Sequence, residues 1–423
     1  MVVLLTGANG FIGRRLHDAL VQAGHEVVCA VHRPQADGPW KRQIVVDFAS
    51  DVSPAAWVPH LVGVDVVVNA VGILRESGSQ TYEAIHVRAP IALFSACEEA
   101  GVRRVVQISA LGADEQAASR FHRTKKTADD DLAARNLDWV ILQPSLVYGP
   151  EGTSARLFTL LASLPWIPVP GGGDQLVQPV HVDDLVAAVV AAVDASETQR
   201  RRIPVVGSEP LRLRDFLARL RGAMGLGPAR FVDIPMPLVR LAAGIGTLAR
   251  RGLLDRETLG MLVRGNVADA SAMTRLLGRQ PRPVEQFIAR QDAPAVCTMA
   301  KLQWLLPPLR WSIAIVWIMT GIVSLGVYPV EDSLALLARV GATGTLAYLL
   351  LYGAAVLDLV FGLGIFLMRR RRPLWIAQAA VILLYTVIVT IWLPEYWLHP
   401  YGPILKNLPM LAAIGLLYHL EPR

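Results

Sequence analysis

The residue spacing best suited to chemistry stands at the start of the chain. Thr6-Gly7-Ala8-Asn9-Gly10-Phe11-Ile12-Gly13 reads Gly-x-x-Gly-x-x-Gly directly after an apolar run that begins at Val2. Glycines at this spacing suit a dinucleotide diphosphate. Gly7 permits a tight turn, Gly10 lets the backbone approach the phosphates, and Gly13 lets a following helix pack closely on the strand. The helix start adds unpaired N–H groups and a partial positive charge. A second apolar run, Val27-Val28-Cys29-Ala30-Val31-His32-Arg33, ends without an acid and with Arg33 at its tip. An acid there would take the ribose 2′-hydroxyl of NAD, whereas an arginine accommodates the 2′-phosphate of NADP. The pattern favours NADP(H) over NAD, and Arg14 could join the same phosphate.

Such a site needs strands and helices in alternation, and the first 200 residues supply them. Val2–Leu5, Glu26–Val31, Gln43–Val46, Val64–Asn69, Arg104–Ser109 and Trp139–Gln143 are short and rich in β-branched residues. Between them, stretches such as Gly13–Gly24 and Ala89–Gly101 carry apolar residues at helical spacing and close on glycine. This is the pattern of a doubly wound parallel sheet, an α/β fold of Rossmann type over residues 1–300. Beyond Pro144 the alternation loosens into a substrate-side lobe, mostly helical over Leu211–Asp292, with a linker expected around Gln291–Lys301.

The remaining chemistry lies in apolar surroundings. Of 423 residues only 18% are charged, against about 25% in an average soluble protein, and the mean hydropathy is +0.41. The shortfall is concentrated after Trp304, where eight Lys/Arg and five Asp/Glu serve 120 residues. A membrane-spanning helix needs about 20 mostly apolar residues. Stretches at about 309–328, 345–368 and 373–393 meet that need, and 404–420 is a fourth candidate despite Lys406, Asn407 and Pro409. Arg310 and the run Arg369–Arg372 flank the first two stretches, while the loops Tyr328–Gly344 and Pro394–Pro403 are poor in basic residues. Positive charge marks the cytoplasmic side, so the soluble part and both termini are expected in the cytoplasm. Asp358, alone within the second stretch, is a candidate site for a proton, a quinone or a partner subunit of a membrane complex, with Gln378 or Asn407 as partners. Pro237–Arg251 carries a stripe of Leu238, Leu241, Ala242, Ile245 and Leu248 beside Arg240, Arg250 and Arg251. Such a stripe suits either a lobe core or the membrane interface. The net charge of +6 divides evenly between the two parts, which argues against nucleic acid as a partner. Cys29, Cys97 and Cys297 form neither a disulfide framework nor a CxxC metal pair, so no metal is expected.

The motif TGANGFIG, Asp47 after the third strand, Asn69-Ala70-Val71-Gly72 after the fourth and Ser109 after the fifth resemble the short-chain dehydrogenase/reductase superfamily. Gln143–Pro150, with Pro144-Ser145-Leu146-Val147-Tyr148-Gly149, and Pro179–Leu185 are similar to later landmarks of its extended and atypical branches, the group that includes the reductase-like accessory subunit of respiratory complex I. The last 120 residues resemble a DoxX-like membrane domain, and bacterial proteins that fuse the two modules form a recognisable class of the inner membrane. The resemblance implies that Asp47 and Phe48 border the adenine, that Asn69, Ala70, Val71 and Gly72 line the nucleotide cleft, and that Pro144 and Ser145 approach the nicotinamide. His86 stands where extended members usually carry Asn.

The superfamily works with Tyr-x-x-x-Lys, in which the Lys lowers the Tyr pKa and holds the nicotinamide ribose beside a Ser or Thr. Four-residue spacing puts both side chains on one helical face. Here Lys125 is kept, but Phe121 stands in place of the Tyr. Three readings follow. Another acid, His122 or Tyr148, works with Lys125 and Ser109; or the nucleotide is bound without chemistry by an assembly or regulatory factor; or a hydride passes to a small or lipid-like acceptor that water can protonate.

Overall fold

The computed structural model of the chain describes residues 1–34, 40–249 and 256–421. The backbone forms two compact units, Met1–Ala300 and Lys301–Arg423. Arg250 and Arg251, expected to flank the Pro237–Arg251 stripe, lie outside the described residues.

In the first unit seven strands form one parallel sheet: β1 (Val2–Thr6), β2 (Glu26–Val31), β3 (Arg42–Val45), β4 (Val66–Asn69), β5 (Arg104–Ile108), β6 (Asp138–Pro144) and β7 (Arg201–Val205). Their order is β7-β6-β5-β4-β1-β2-β3. Helices α1 (Phe11–Gln22), α2 (Ala89–Glu99), α3 (Arg120–Ala134) and α4 (Val182–Asp194) connect or follow strands. Two apolar layers enclose the sheet, one holding Leu16, Leu20, Leu185 and Val189, the other Leu93, Phe94, Ala128 and Leu132. With both faces covered, the central strands read as unbroken apolar runs rather than alternating ones. Val3, Leu4, Leu5, Val66, Val67 and Val68 are all fully buried, each contributing at most about 1.5–3 kcal/mol.

Strand order reverses between β1 and β4, which opens a crevice at their carboxyl ends. The parallel register sets Thr6 beside Asn69 and Asn69 beside Gln107, so three buried polar side chains lie in a row beneath that crevice. The lobe beyond β6 has its own core around Tyr148, Phe216, Leu217 and Phe287. It includes α5 (Met236–Ala249) and α6 (Arg256–Arg264). The segment expected as a linker is instead helical. Helix α7 runs from Ala293 to Ile322, and Ala293, Val296, Cys297 and Ala300 on its first turns pack into the lobe core. Apolar residues at helical spacing outweighed the polar look of Gln291–Asp292.

The second unit contains the rest of α7, then α8 (Thr345–Leu367), α9 (Arg372–Trp392) and α10 (Asn407–Leu420). The first three helices are long and apolar enough to cross a membrane. Helix α10 has 14 residues, about 21 Å at 1.5 Å per residue, shorter than the stretch 404–420. It starts at Asn407 because Pro409 suits a first turn, where a missing N–H breaks no helical bond. The loop after α7 contains a further helix, Val330–Arg339. Arg310 (3.0 Å) and Arg371 (3.6 Å) converge on the Glu421 carboxylate, and Arg372 Nη2 donates to the Glu421 carbonyl at 2.8 Å. Arg339 pairs with Glu395 between the other two connections. Asn407 Nδ2 donates to Thr386 Oγ1 at 2.8 Å. Asp358 is buried, and its Oδ1 has no hydrogen-bond partner among the described residues; the neighbouring buried amide, Gln378, donates to the Phe361 carbonyl.

Candidate nucleotide site

The turn between β1 and α1 is shaped by its glycines. Gly7 adopts φ +71°, and a Cβ there would stand 2.9 Å from the carbonyl of Ala70. Gly10 N–H donates to Gly7 O at 2.9 Å, which closes the turn around Ala8 and Asn9. A Cβ on Gly13 would fall 2.0 Å from Gly7 O, so α1 crosses β1 at backbone contact. Gly10 caps α1 without a side chain, and the first-turn amides of Phe11, Ile12 and Gly13 have no side-chain acceptor. A diphosphate fits this donor set. The Phe11 ring packs against Gly149, where a Cβ would stand 2.6 Å from it, a contact that only glycine allows. Ile12 is half-buried against the core.

His32 and Arg33 are exposed at the end of β2. His32 Nδ1 lies 3.7 Å from Asp47 Oδ1, which also accepts from Ala49 N at 2.9 Å. The Phe48 ring is buried edge-on against Trp57, with centroids 5.1 Å apart.

Across the crevice floor Thr6 Oγ1 donates to Asn69 Oδ1 (2.6 Å), and Asn69 Nδ2 donates to Gln107 Oε1 (2.7 Å). Gln107 was not anticipated; a lone amide amid Val105-Val106 and Ile108 was the available signal. Above it, the loop Ala70-Val71-Gly72 is held from two sides. Lys125 Nζ donates to Val71 O (3.2 Å) and Ile108 O (3.1 Å). His86 Nε2 accepts from Ile73 N at 3.0 Å, and its Nδ1 lies 3.1 Å from Thr124 Oγ1. Because Ile73 N can only donate, the ring proton sits on Nδ1 and is donated to Thr124. Burial, then the Lys125 charge, pushes His86 down to about 3, which keeps the ring neutral. His86 thus takes over the fastening that an Asn amide could provide.

This fastening is testable. His86 is depressed below an unfolded histidine near 6.5, so the folded state binds fewer protons between those values, and the stability it contributes is lost as pH falls through that window. In urea unfolding, wild type should lose about 1 kcal/mol more than His86→Gln between pH 7.5 and 5.5. Equal losses would show that His86 does not carry the proton linkage.

The helix that should carry catalysis is α3. Ser119 caps it, accepting from His122 N at 3.2 Å. Phe121 stands one turn before Lys125, half-buried between Tyr82, His86 and His122 at centroid distances of 6.2, 5.4 and 5.3 Å. Lys125 is buried, and burial lowers it to about 8 against the opposing charge of Asp129. Burial raises Asp129 to about 6, despite the hydrogen bond from Ser109. Ser109 therefore spends its hydroxyl on Asp129. His122 is buried rather than solvated, with Nδ1 3.1 Å from Ser119 Oγ, and burial followed by Arg264 lowers it to about 4. Tyr148 is not brought to Lys125. It stacks on Phe287 at 5.1 Å in the lobe core, where burial raises its pKa. Pro144 ends β6, and the Ser145 hydroxyl donates to Gln178 O at 2.5 Å. Asp184, in the Pro179–Leu185 landmark, is fully buried and binds Arg279 and the Arg282 amide, a structural role.

Fold and site define a Rossmann-type NAD(P)-binding domain, followed by a unit with three helices long and apolar enough to cross a membrane. Residues 3–207 match the NAD dependent epimerase/dehydratase family and residues 314–415 the DoxX-like family. The chain carries one domain of each kind. Over 254 residues it is 27% identical to the mitochondrial NADH dehydrogenase [ubiquinone] 1 alpha subcomplex subunit 9 of Arabidopsis thaliana, an alignment covering 57% of this chain and 62% of that one. It is 28% identical to the ceramide reductase of Caulobacter vibrioides, over 58% of this chain and 77% of the relative. The chain thus spans less than two thirds of the plant subunit. Among solved structures, MoeE5 in complex with UDP-glucose and NAD shares the fold, with a TM-score of 0.51 and 24% identity over 72% of this chain and 99% of that one.

Proposed function

We propose that this protein sits in the cytoplasmic membrane and holds NADP(H), in preference to NAD, as a resident ligand, acting as an assembly or regulatory factor for a membrane complex. The observation that carries this reading is Phe121 one turn before Lys125. A bound nicotinamide would supply a hydride; among the described residues, the side chains at the positions where the superfamily carries its proton donors are not free to give a proton, and burial holds His122 neutral near pH 7. Phe121 has none to give, Ser109 and Ser145 are turned to Asp129 and Gln178, and the Tyr82 hydroxyl donates to Leu74 O. Lys125 and His86 pin the loop over the crevice floor, a rigid arrangement suited to retention. The complex I subunit among its relatives supports a partner of that kind. Convergence of Arg310, Arg371 and Arg372 on Glu421 supports a cytoplasmic placement for that end of the bundle.

A second reading, reduction of a lipid-like substrate, is favoured by one observation. Helix α6 reaches the front of α3, with Glu257 accepting from Arg120 N (3.1 Å) and Arg264 donating to Gly112 O (3.0 Å) and Asp114 (2.6 Å). A groove of ≈ 410 Å³ between α5 and α6, lined by Leu259 and Val263, lies on the same helix. The two readings separate in one assay. Reconstituted in nanodiscs, the full chain should enhance NADPH fluorescence yet oxidise none of it with aldehydes, ketones, ceramide-like ketones or quinones. Substrate-dependent oxidation would reverse the choice.

Coenzyme preference has its own test. Arg33→Ala should weaken NADPH binding about tenfold by removing a charge-assisted phosphate contact, leaving NADH unchanged. Equal weakening of both would remove Arg33 from the 2′-phosphate.

A further inference from the structure

We propose that the outward face of α5 docks onto the surface of an anionic lipid bilayer. Leu238 and Leu241 are 56% and 63% exposed, and Ala242 beside them is exposed too. Spacing of three and four residues puts them on one helical face. The opposite face is already used: Val239 and Ala243 are buried against Leu259, with Ile234 and Met236 around them. An apolar face that the lobe does not need therefore points outward. Val263 of α6, 51% exposed, adds to the apolar surface across the groove. Single exposed leucines need no explanation, but a stripe on one helix bordered by a cation does.

Charge complementarity selects the occupant. Arg240 is exposed and lines the groove beside this stripe. Helix α5 contains no acid, and Glu257 of α6 is engaged by the Arg120 amide. Exposed leucines beside an arginine match acyl chains beneath anionic headgroups. The proposal rests on the membrane attachment of the same chain. The three apolar helices that follow would keep this face at high local concentration near lipid.

The test uses the full chain with Cys297→Ser, since Cys29 and Cys97 are fully buried. An NBD fluorophore is placed at Leu241→Cys and, as a control, at Val62→Cys, which is 83% exposed. Nanodiscs contain phosphatidylcholine with about 30 mol% phosphatidylglycerol and doxyl-labelled lipid. Docking predicts quenching at 241 at least about twofold stronger than at 62, weakened by high salt and by Arg240→Glu. Quenching at 241 no stronger than at 62 overturns it. So does a blue shift at 241 without doxyl quenching, which would mean that protein covers the face. NADPH fluorescence in the same discs reports the nucleotide site separately, and failure of the chain to enter discs overturns both the attachment and the docking.

Discussion

Gly13→Ala should abolish dinucleotide binding and lower the melting temperature of the first unit. The added methyl would stand 2.0 Å from Gly7 O, 2.7 Å from Gly7 C and 2.9 Å from Ala8 Cα. All three are backbone atoms, so no side chain can swing aside. Relief requires α1 to lift off β1 by about 1 Å or more in an interior packed like a crystal. Overpacking of this kind costs about 1–3 kcal/mol, which for a unit of this size lowers Tm by up to about 5 °C. Lifting the helix also withdraws the first-turn amides from the diphosphate, so NADPH affinity should fall about 100-fold or more. Gly10→Ala provides the contrast. Its methyl would meet only Gly7 O, at 3.1 Å, a clash relieved by a few tenths of an ångström. That variant should keep its Tm while losing affinity through the phosphate approach. Calorimetry and fluorescence titration of both variants check the pair. Wild-type affinity in Gly13→Ala would remove the β1–α1 turn from the nucleotide site, and with it the functional reading.

The contrast between the two glycines also shows what a linear sequence reveals. Gly7, Gly10 and Gly13 are legible because their roles are local, fixed by one turn and one helix. The apolar runs behind β1, β4 and β5 are legible for the same reason, since burial on both faces erases alternation. The directions of Ser109, Ser145 and Tyr148 were not legible. Each is decided by a partner remote in the chain: Asp129 for Ser109, Gln178 for Ser145 and Phe287 for Tyr148. Family resemblance places such residues at a position, but a hydroxyl serves chemistry only if nothing else claims it. His86 shows the opposite case. Its departure from Asn carried no evident meaning until Ile73 N and Thr124 were found on either side of the ring. The α5 stripe remained ambiguous because helical periodicity identifies an apolar face without saying what lies against it. Only the burial of Val239 and Ala243 instead of Leu238 and Leu241 decides that Leu238, Leu241 and Ala242 face out.

Phe121→Tyr should turn a binding site into a reductase. The ring of Phe121 is held by three aromatic neighbours, at 6.2 Å from Tyr82, 5.4 Å from His86 and 5.3 Å from His122, so a tyrosine would keep that position and add only a hydroxyl. Lys125 lies one turn along the same face, and with a pKa pushed down to about 8 by burial it is still mostly cationic at pH 7. A cation there favours the phenolate and lowers the barrier to proton transfer. A positioned acid contributes about 10²–10⁴-fold, so NADPH oxidation with an accepted carbonyl should rise at least about 100-fold over wild type. The sign of the pH dependence follows from Lys125. The gain should be full below pH 8 and decline above it as the ammonium is lost. Lys125→Met in the Phe121→Tyr background should return activity to the wild-type level, which separates the designed pair from adventitious chemistry. NADPH oxidation from pH 6 to 10 over the carbonyl panel, with binding measured in parallel, provides the check. Wild-type turnover equal to that of Phe121→Tyr would show that another group already delivers the proton, and the resident-ligand reading would give way to a reductase that does without the tyrosine.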